Sequence, residues 1–304
     1  MAMLRITTGI FVVLVYSVCS FAHASDLYFI DAHSQVDENM TIDRVIQSMD
    51  EAGVKRSILA ARGRKTNREI LDWAAQHPQR IIASIRTKGG AYMNNRPRYY
   101  EKIKRQAEGG RFAAMAELLL YHAAKGDFAP EVIVQPDDER VTAALNAIRD
   151  QAWPLVLHIE FAALSSSRKK NYWEKLETLL RQHPQQPFAL IHMGQLASEE
   201  VKTFINNHPN IYFLTSHSNT IAVNRSKQPW VNMFDGEALA PNWRDLVITH
   251  PDRFIFAVDN VFKVHWRKGY TQQLILWRKA LSRLPDEVAH AVAHGNAERL
   301  WALE

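Results

Sequence analysis

Short apolar runs alternate along the chain with longer stretches in which apolar positions recur every three to four residues. The first pattern is typical of strands and the second of amphipathic helices. Strands are predicted at residues 27–33, 54–60, 80–86, 112–119, 154–160, 188–192, 211–216 and 254–259. Helices are expected near 40–51, 66–76, 98–108, 171–182, 271–282, 286–293 and 296–303, and two more are expected to begin after a cap at Asp137 or Asp138 and after a cap at Ser198.

Eight strands with helices between them, within residues 25–304, predict a single-domain α/β fold, the (β/α)8 TIM barrel. Pro154–Glu160 is a nearly continuous apolar run, as expected of a strand that is buried on both faces. A doubly wound open sheet is the alternative fold. The first strand is not followed by a glycine-rich phosphate loop, which disfavours that alternative.

Residues 1–24 have the three-part layout of a signal peptide. Arg5 precedes an apolar run from Ile10 to Val18, and Ala22–Ala24 forms a small-x-small cleavage site. The apolar run is short for a membrane span. The pattern predicts cleavage before Ser25, a periplasmic or secreted protein, and no stable membrane insertion after cleavage. An uncleaved N-terminal anchor is the alternative.

Composition narrows the chemistry of the mature chain. The protein has 304 residues, of which 47% are hydrophobic and 23% charged, as in ordinary globular proteins. The only cysteine, Cys19, lies in the predicted signal peptide, so disulfides, thiolate metal sites and a cysteine nucleophile are excluded after cleavage. The net charge of +5 is modest and no dense basic run is present, so no nucleic-acid partner is expected.

Histidines and acids recur at the predicted strand ends, where barrel enzymes place their chemistry. Each of these histidines alone is also explained as a core imidazole bonded to backbone, but their joint pattern predicts one clustered site. Asp31, His33 and Gln35 share one face of a regular first strand, and Asp31 and His33 can present ligands to one metal ion. The later strand ends carry Glu117, His158, Glu160, His192, His217 and Asp259.

These segments together resemble the amidohydrolase superfamily, in particular the branch that includes aminocarboxymuconate semialdehyde decarboxylase. The similarity extends over nearly the whole mature chain, although each motif is short. The segments that match are Phe29–His33, Pro154–His158, Ala189–His192, Arg253–Asp259 and Gly295–Leu300.

The resemblance implies one divalent metal ion, with zinc as the first choice, bound by His33, His158 and Asp259. The family's first strand normally ends His-x-His, whereas this chain has Gln35 at the second position. An amide oxygen is a weaker zinc ligand than an imidazole, so Gln35 either fills a fourth place or bonds to the water. Pyrone dicarboxylate lactonases of the same branch are thought to work without metal, so a metal-free site stays open.

The implied catalytic residues are Asp259, which takes a proton from water and returns it to the leaving group, and His192, which orients or polarises the substrate. Decarboxylation by the same residues is the alternative chemistry. Glu117, Gln35 and His217 are predicted to contact the substrate. The predicted mouth loops also carry cations, which favour an anionic substrate. These are Arg62, Arg64, Lys65, Lys88 and Arg86, the last standing at a strand end.

The leading hypothesis is therefore an exported metal-dependent hydrolase of a small anionic ester, lactone or amide. A metal-independent lactonase or a decarboxylase on the same barrel is the second hypothesis. A non-catalytic binding barrel is the third, and Gln35 is the feature that favours it. Residues 217–241 are predicted to be irregular, and two roles are open for them: a lid over the site or a homodimer contact.

Overall fold

The computed structural model describes residues 27–126, 129–151 and 153–303. The predicted signal peptide, residues 1–24, and the predicted cleavage site before Ser25 lie outside the described residues. Among the residues that are described, no helix combines the length and the apolar character that crossing a lipid bilayer requires.

All eight predicted strands are confirmed, the fourth as two consecutive pieces (β4 and β5), and three short strands (β6, β10 and β11) are added to them. In chain order the strands are β1 (Phe29–Val36), β2 (Val54–Ala61), β3 (Ile81–Ile85), β4 (Ala114–Met115), β5 (Leu118–His122), β6 (Val132–Ile133), β7 (Leu155–Ile159), β8 (Phe188–Leu190), β9 (Ile211–Leu214), β10 (Phe234–Asp235), β11 (Ala238–Leu239) and β12 (Phe254–Ile255).

The strands form a closed parallel barrel. One sheet has the order β1-β2-β3-β4 and the other the order β12-β9-β8-β7-β5-β6, with β5–β6 as the antiparallel pair. β4 continues into β5 across residues 116–117, which joins the sheets on one side. On the other side the Ala32 N–H donates to the Phe256 carbonyl (3.1 Å) and the Asp259 N–H to the His33 carbonyl (2.8 Å). The predicted (β/α)8 barrel is confirmed.

Helices follow most of the barrel strands along the chain. They are α1 (Ile42–Ala52), α2 (Asn67–Gln76), α3 (Gly90–Met93), α4 (Pro97–Glu108), α5 (Glu139–Ile148), α6 (Ser166–Gln182), α7 (Ser198–Asn207), α8 (Thr220–Val223), α9 (Pro241–Thr249), α10 (Lys268–Leu281), α11 (Asp286–His290) and α12 (Asn296–Leu300). The sequence patterns do not predict α9, because Pro241 reads as the end of a loop. Proline is nevertheless favourable at the first helical position, which it occupies here.

The helices form where side chains satisfy their first N–H groups and apolar residues recur on one face. In α1 the Thr41 hydroxyl accepts a hydrogen bond from the Arg44 N–H at 3.4 Å. Val45 and Met49, four residues apart, are buried on the same face of the helix. The packing of this apolar face contributes more to the stability of a short helix than its intrinsic propensity does.

β1 contains an irregularity that separates its polar residues. Its pairing with β2 shifts register between Asp31 and Ser34, and such a bulge interrupts the alternation of side chains. The Asp31 carboxylate therefore accepts hydrogen bonds from the Val258 N–H (2.9 Å) and the Ser34 hydroxyl (2.6 Å). The prediction of one shared face is therefore wrong for Asp31, whose carboxylate binds the backbone that follows β12. His33 and Gln35 reach the cluster of side chains at the strand ends.

Candidate active site

A cavity of about 560 Å³ opens at the carboxyl ends of the barrel strands. Side chains from several strand ends line it, among them Gln35, Glu117, His158, His217 and Asp259. This end of a (β/α)8 barrel is where the loops that follow all the strands converge. The structure therefore gathers residues from strands far apart in sequence around one space.

His33, Glu117 and Asp259 form a compact buried group. The His33 Nε2 atom lies 3.4 Å from Glu117 Oε1 and 3.6 Å from Asp259 Oδ1. All three side chains are buried, and His33 Nε2 has no hydrogen-bond partner among the described residues. A buried polar atom without a partner costs roughly 1–3 kcal/mol. A bound cation or water between the imidazole and the carboxylates would remove that cost.

Gln35 and Lys88 supply donors to the same two carboxylates. The Gln35 amide nitrogen donates to Asp259 Oδ1 (2.9 Å) and Glu117 Oε1 (3.3 Å), and its oxygen lies 3.5 Å from the Lys88 ammonium. Lys88 Nζ also donates to Glu117 Oε1. Burial would raise the pKa of Glu117, but Lys88 and then His158 outweigh burial and hold the pKa well below its usual range.

His158 lies between two carboxylates. Its Nδ1 atom is 2.6 Å from Glu117 Oε2 and its Nε2 atom 3.1 Å from Glu160 Oε1, which also accepts from Lys125 Nζ at 2.7 Å. Burial opposes a charge on this imidazole, but Glu117 and then Glu160 outweigh burial and raise the pKa of His158 above its usual value. With both ring nitrogens bonded to carboxylates, His158 presents no free lone pair to a metal ion in this arrangement.

His192 is oriented by Ser216. Its Nδ1 atom lies 2.9 Å from the Ser216 hydroxyl and 3.4 Å from the Ser216 carbonyl oxygen, and its backbone N–H donates to the same hydroxyl at 3.2 Å. Its Nε2 atom lies 3.6 Å from Asp259 Oδ2. Burial, and then the neighbouring His217 and His158, lower the pKa of His192 well below its usual value, so the ring is neutral near pH 7.

Left-handed backbone is concentrated at these strand ends. Among the described residues seven non-glycine residues have positive φ. Each such residue costs roughly 1–2 kcal/mol in a left-handed conformation. Strain of this kind clusters at functional sites, where the surrounding structure over-determines the geometry. Five of the seven follow barrel strands around the cavity: His192 (φ 56°), Met193 (φ 56°), Gln195 (φ 55°), His217 (φ 56°) and Asp259 (φ 58°).

An aromatic wall stands beside the carboxylates. The rings of His192 and His217 stack with centroids 4.5 Å apart, and the Trp230 ring lies 4.8 Å from each of them. Burial lowers the pKa of His217 to about 4, so both stacked imidazoles are neutral at pH 7. Trp230 comes from residues 217–241, which were predicted to be irregular and which also contain α8 and the β10–β11 hairpin.

Three arginines line the cavity without a carboxylate partner among the described residues: Arg62, Arg86 and Arg225. Burial, and then the nearby charge of Arg62, lower the pKa of Arg86. Two like charges that face one cavity without an acid between them favour binding of an anion there.

The predicted ligand trio of His33, His158 and Asp259 is not one of the four groups of described residues whose ligand atoms lie within 4.8 Å of one another. His33 and Asp259 form a group with Glu117, whereas His158 belongs to two other groups, one with Glu117 and His192 and one with His122 and Glu160. The roles of the predicted residues remain predictions. All eight of them lie at this end of the barrel: His33, Gln35, Arg86, Glu117, His158, His192, His217 and Asp259.

Sequence reasoning does not identify three of the residues around the cavity. Lys125, Arg225 and Trp230 come from loops without a periodic pattern, and only their position after a barrel strand relates them to the site. Lys88 is among the predicted mouth cations, but its contact with Glu117 depends on how its loop turns, which the pattern does not encode.

Comparison with known proteins identifies the family of this chain. A sequence model of the amidohydrolase family matches residues 40–303. The chain belongs to the amidohydrolase family. The match includes Glu117, His158, His192 and Asp259, whereas His33 precedes it. The predicted resemblance is confirmed, and the chain is a hydrolase-type enzyme.

Solved structures of this superfamily share the fold. The 4-oxalomesaconate hydratase of Rhodopseudomonas palustris is 13% identical, with a TM-score of 0.58 over 90% of this chain and 95% of that chain. A zinc-bound amidohydrolase of Burkholderia multivorans is 16% identical (TM-score 0.53; 91% and 100%). A putative 2-pyrone-4,6-dicarboxylic acid hydrolase of Pseudomonas putida is 14% identical (TM-score 0.51; 91% and 98%). Comparison with curated proteins gave no match.

Proposed function

We propose that this protein is an exported, metal-assisted hydrolase of a small anionic ester, lactone or amide. The observation that carries the proposal is the buried group of His33, Glu117 and Asp259, in which an imidazole nitrogen without a partner faces two carboxylates. The group adjoins a cavity of about 560 Å³, a volume that suits a small molecule.

The three residues fit a divalent ion. Their ligand atoms lie within 4.8 Å of one another. The His33–carboxylate separations of 3.4 and 3.6 Å suit ligands that each stand about 2.0–2.2 Å from a common ion. One imidazole nitrogen and two carboxylate oxygens suit zinc, which is our first choice. When bound, such an ion supplies Lewis-acid polarisation of a carbonyl group and increases the acidity of water.

Asp259 and His192 have different roles toward the attacking water: His192 orients it and Asp259 takes its proton. The neutral His192 ring forms a hydrogen bond with the water through Nε2 and holds it beside Asp259 Oδ2, which lies 3.6 Å from Nε2. Asp259 takes the proton of the water as general base and returns it to the leaving group as general acid. Ser216 contacts Nδ1 of the same ring and so fixes its orientation.

The anionic character of the substrate is supported by Arg62, Arg86 and Arg225. Their guanidinium groups line the cavity, whereas the other cations there, Lys88 and Lys125, are paired with acids. A carboxylate or phosphate on the substrate would occupy the arginine side of the cavity.

Metal content and turnover test the proposal. Elemental analysis of protein purified without chelators should find about one zinc or similar ion per chain, and this ion should be lost in His33→Ala and in Asp259→Ala. Wild type should turn over a substrate in a screen of anionic esters, lactones and amides, and both substitutions should abolish that turnover. His77→Ala, which removes an imidazole at the end of α2, is the control and should retain both the bound metal ion and the turnover. Protein that binds no metal, even with added zinc, would contradict the metal-assisted mechanism.

A metal-independent lactonase or a decarboxylase is the second candidate. It is favoured by the ion pairs Lys88–Glu117 and Lys125–Glu160, which neutralise two of the buried carboxylates without any ion. Turnover that persists in a strong chelator would favour this candidate. Release of carbon dioxide would then separate a decarboxylase from a lactonase. The non-catalytic binding barrel is not carried further, since the chain belongs to the amidohydrolase family.

Export is supported by the sequence of residues 1–24. A cut before Ser25 would leave β1, which begins at Phe29, complete. N-terminal sequencing of protein recovered from the periplasm or medium of a bacterial host should therefore begin at Ser25. Protein that keeps residues 1–24 and stays with the membrane fraction would instead support the uncleaved anchor.

A further inference from the structure

We propose that Lys88 competes with a divalent metal ion for the Glu117 carboxylate and thereby sets the metal affinity of the site. The inference rests on the proposed metal-assisted function and names the residue that tunes it. Lys88 comes from the segment between β3 and α3, outside the strands that carry the candidate ligands.

One oxygen atom carries the competition. Glu117 Oε1 lies 3.4 Å from His33 Nε2 and accepts hydrogen bonds from Lys88 Nζ and from the Gln35 amide (3.3 Å). A carboxylate oxygen has about two lone-pair directions. An ion held by His33, Glu117 and Asp259 would need this oxygen, so at least one of the present donors must leave it.

Lys88 is the donor that has to leave. Its ammonium carries a full positive charge, whereas the Gln35 amide is neutral. Two cations on one carboxylate oxygen repel each other strongly where water is scarce, and the Glu117 side chain is only 1% exposed. Lys88 itself is 27% exposed and lines the cavity, so its side chain has open space into which it can turn.

The metal-free site is stable because Lys88 stands in for the ion. Its ammonium pairs with Glu117 and lies 3.5 Å from the Gln35 oxygen, which fixes the amide with its nitrogen toward Asp259. Metal binding has to break this ion pair, and the free energy of that step is subtracted from the affinity. The wild-type protein should therefore hold its metal less tightly than a variant that lacks this lysine.

Metal affinity in variants tests the inference. Zinc and manganese dissociation constants would be measured on metal-free protein by competition with a chromophoric chelator. Lys88→Met should bind each ion about 10–100-fold more tightly than wild type, the range by which partners of ligands tune a site. Lys125→Met is the matched control, because Lys125 lines the same cavity and is 22% exposed, but pairs with Glu160. It should change affinity by no more than about threefold, since its charge acts only at a distance.

The outcomes separate this inference from the proposed function. Equal affinity in wild type and Lys88→Met, or an equal gain in Lys125→Met, would overturn the role of Lys88 and leave metal binding intact. Absence of zinc and manganese binding in all three proteins would overturn both the role of Lys88 and the metal-assisted mechanism.

A second measurement uses the wild-type protein and does not depend on how a variant folds. Acetylation of lysines, read by mass spectrometry, would be compared with and without saturating zinc. Release from Glu117 should raise the labelling of Lys88 several-fold relative to Lys125, which has a similar exposure and serves as internal reference. Labelling of Lys88 that stays constant or falls on zinc addition would contradict the proposed competition.

Discussion

At the scale of single residues, the arginines of the cavity test the class of substrate. Arg86 lines the cavity beside Arg62, and its guanidinium donates to the Gly63 carbonyl at 2.8 Å. Arg86→Gln should raise KM for an anionic ester about 10–100-fold, because charged hydrogen bonds contribute roughly 1.5–3 kcal/mol each. KM for a neutral ester of the same size should change little. Steady-state kinetics on the matched pair of esters measures both.

The control for this prediction is Arg64→Gln. Arg64 is an exposed neighbour paired with Glu38 and does not line the cavity. Its loss should leave KM for both esters unchanged. A rise in KM that is equal for the charged and the neutral ester in Arg86→Gln would contradict recognition of an anion by Arg86.

The same scale shows what sequence reasoning reaches and where it stops. Residue type and position after a strand suffice to place His33, His192 and Asp259 at one end of the barrel. They do not predict that His158 turns toward Glu117, because side-chain direction depends on neighbours brought together by the fold. The contact of Lys88, a predicted mouth cation, with Glu117 is missed for the same reason.

At the scale of elements, the turn after β8 positions His192 through consecutive left-handed residues. Gly194 has φ 62°, and a Cβ added there would lie 3.2 Å from the Leu190 side chain and 3.3 Å from that of Leu196. Gly194→Ala should destabilise the protein by more than the roughly 1–2 kcal/mol of a left-handed alanine and should lower kcat by displacing His192. Urea unfolding and steady-state kinetics measure the two effects.

Gly110→Ala is the matched control for the turn. Gly110 has φ 63°, and a Cβ added there would meet nothing within 4 Å. Gly110→Ala should lower the free energy of unfolding only by the cost of a left-handed alanine, about 1–2 kcal/mol, and should leave kcat at the wild-type value. Equal losses of stability and of kcat in the two variants would refute a special role for the turn after β8.

A second element-scale prediction concerns pH and the start of α5. The Asp138 carboxylate accepts from the Arg140 N–H (2.9 Å) and from its guanidinium (2.7 Å). The hydrogen bond from Arg140 outweighs burial and lowers the pKa of Asp138. A lowered folded-state pKa gives stability that is present above the unfolded pKa of about 4 and lost as pH falls through the folded value.

The free energy of unfolding of Asp138→Asn should therefore differ from that of wild type by a constant amount between pH 7 and pH 5 and converge with it below about pH 4. Urea titrations at each pH measure the gap. Asp137→Asn is the control, because Asp137 is an exposed neighbour that pairs with Lys175 at 2.9 Å. The free energy of unfolding of Asp137→Asn should stay within about 0.5 kcal/mol of the wild-type value at every pH. A difference between wild type and Asp138→Asn that widens toward low pH would contradict a lowered pKa of Asp138 in the folded protein.

At the scale of the whole molecule, the order of strands and helices is enough to predict the barrel, because short apolar runs between helical stretches leave few topologies. The register of the seam at which β1 meets the chain after β12, and so closes the barrel, is not encoded in any one segment. β1 and the chain after β12 meet there through contacts such as Asp31 to Val258, which join residues 227 positions apart. The bulge in β1 that frees Asp31 for this contact is equally invisible in the alternation of residues.

The seam gives the last prediction. The Asp31 carboxylate is fully buried and accepts from Ser34, from the Val258 backbone and from the Tyr270 hydroxyl (3.2 Å). Asp31→Ala leaves these donors without an acceptor and should lower the free energy of unfolding by about 3 kcal/mol. Asp37→Ala, which removes a partly exposed carboxylate just after β1, should cost about 0.5 kcal/mol or less. Urea unfolding compares them, and equal losses would mean that Asp31 does not hold the barrel closed.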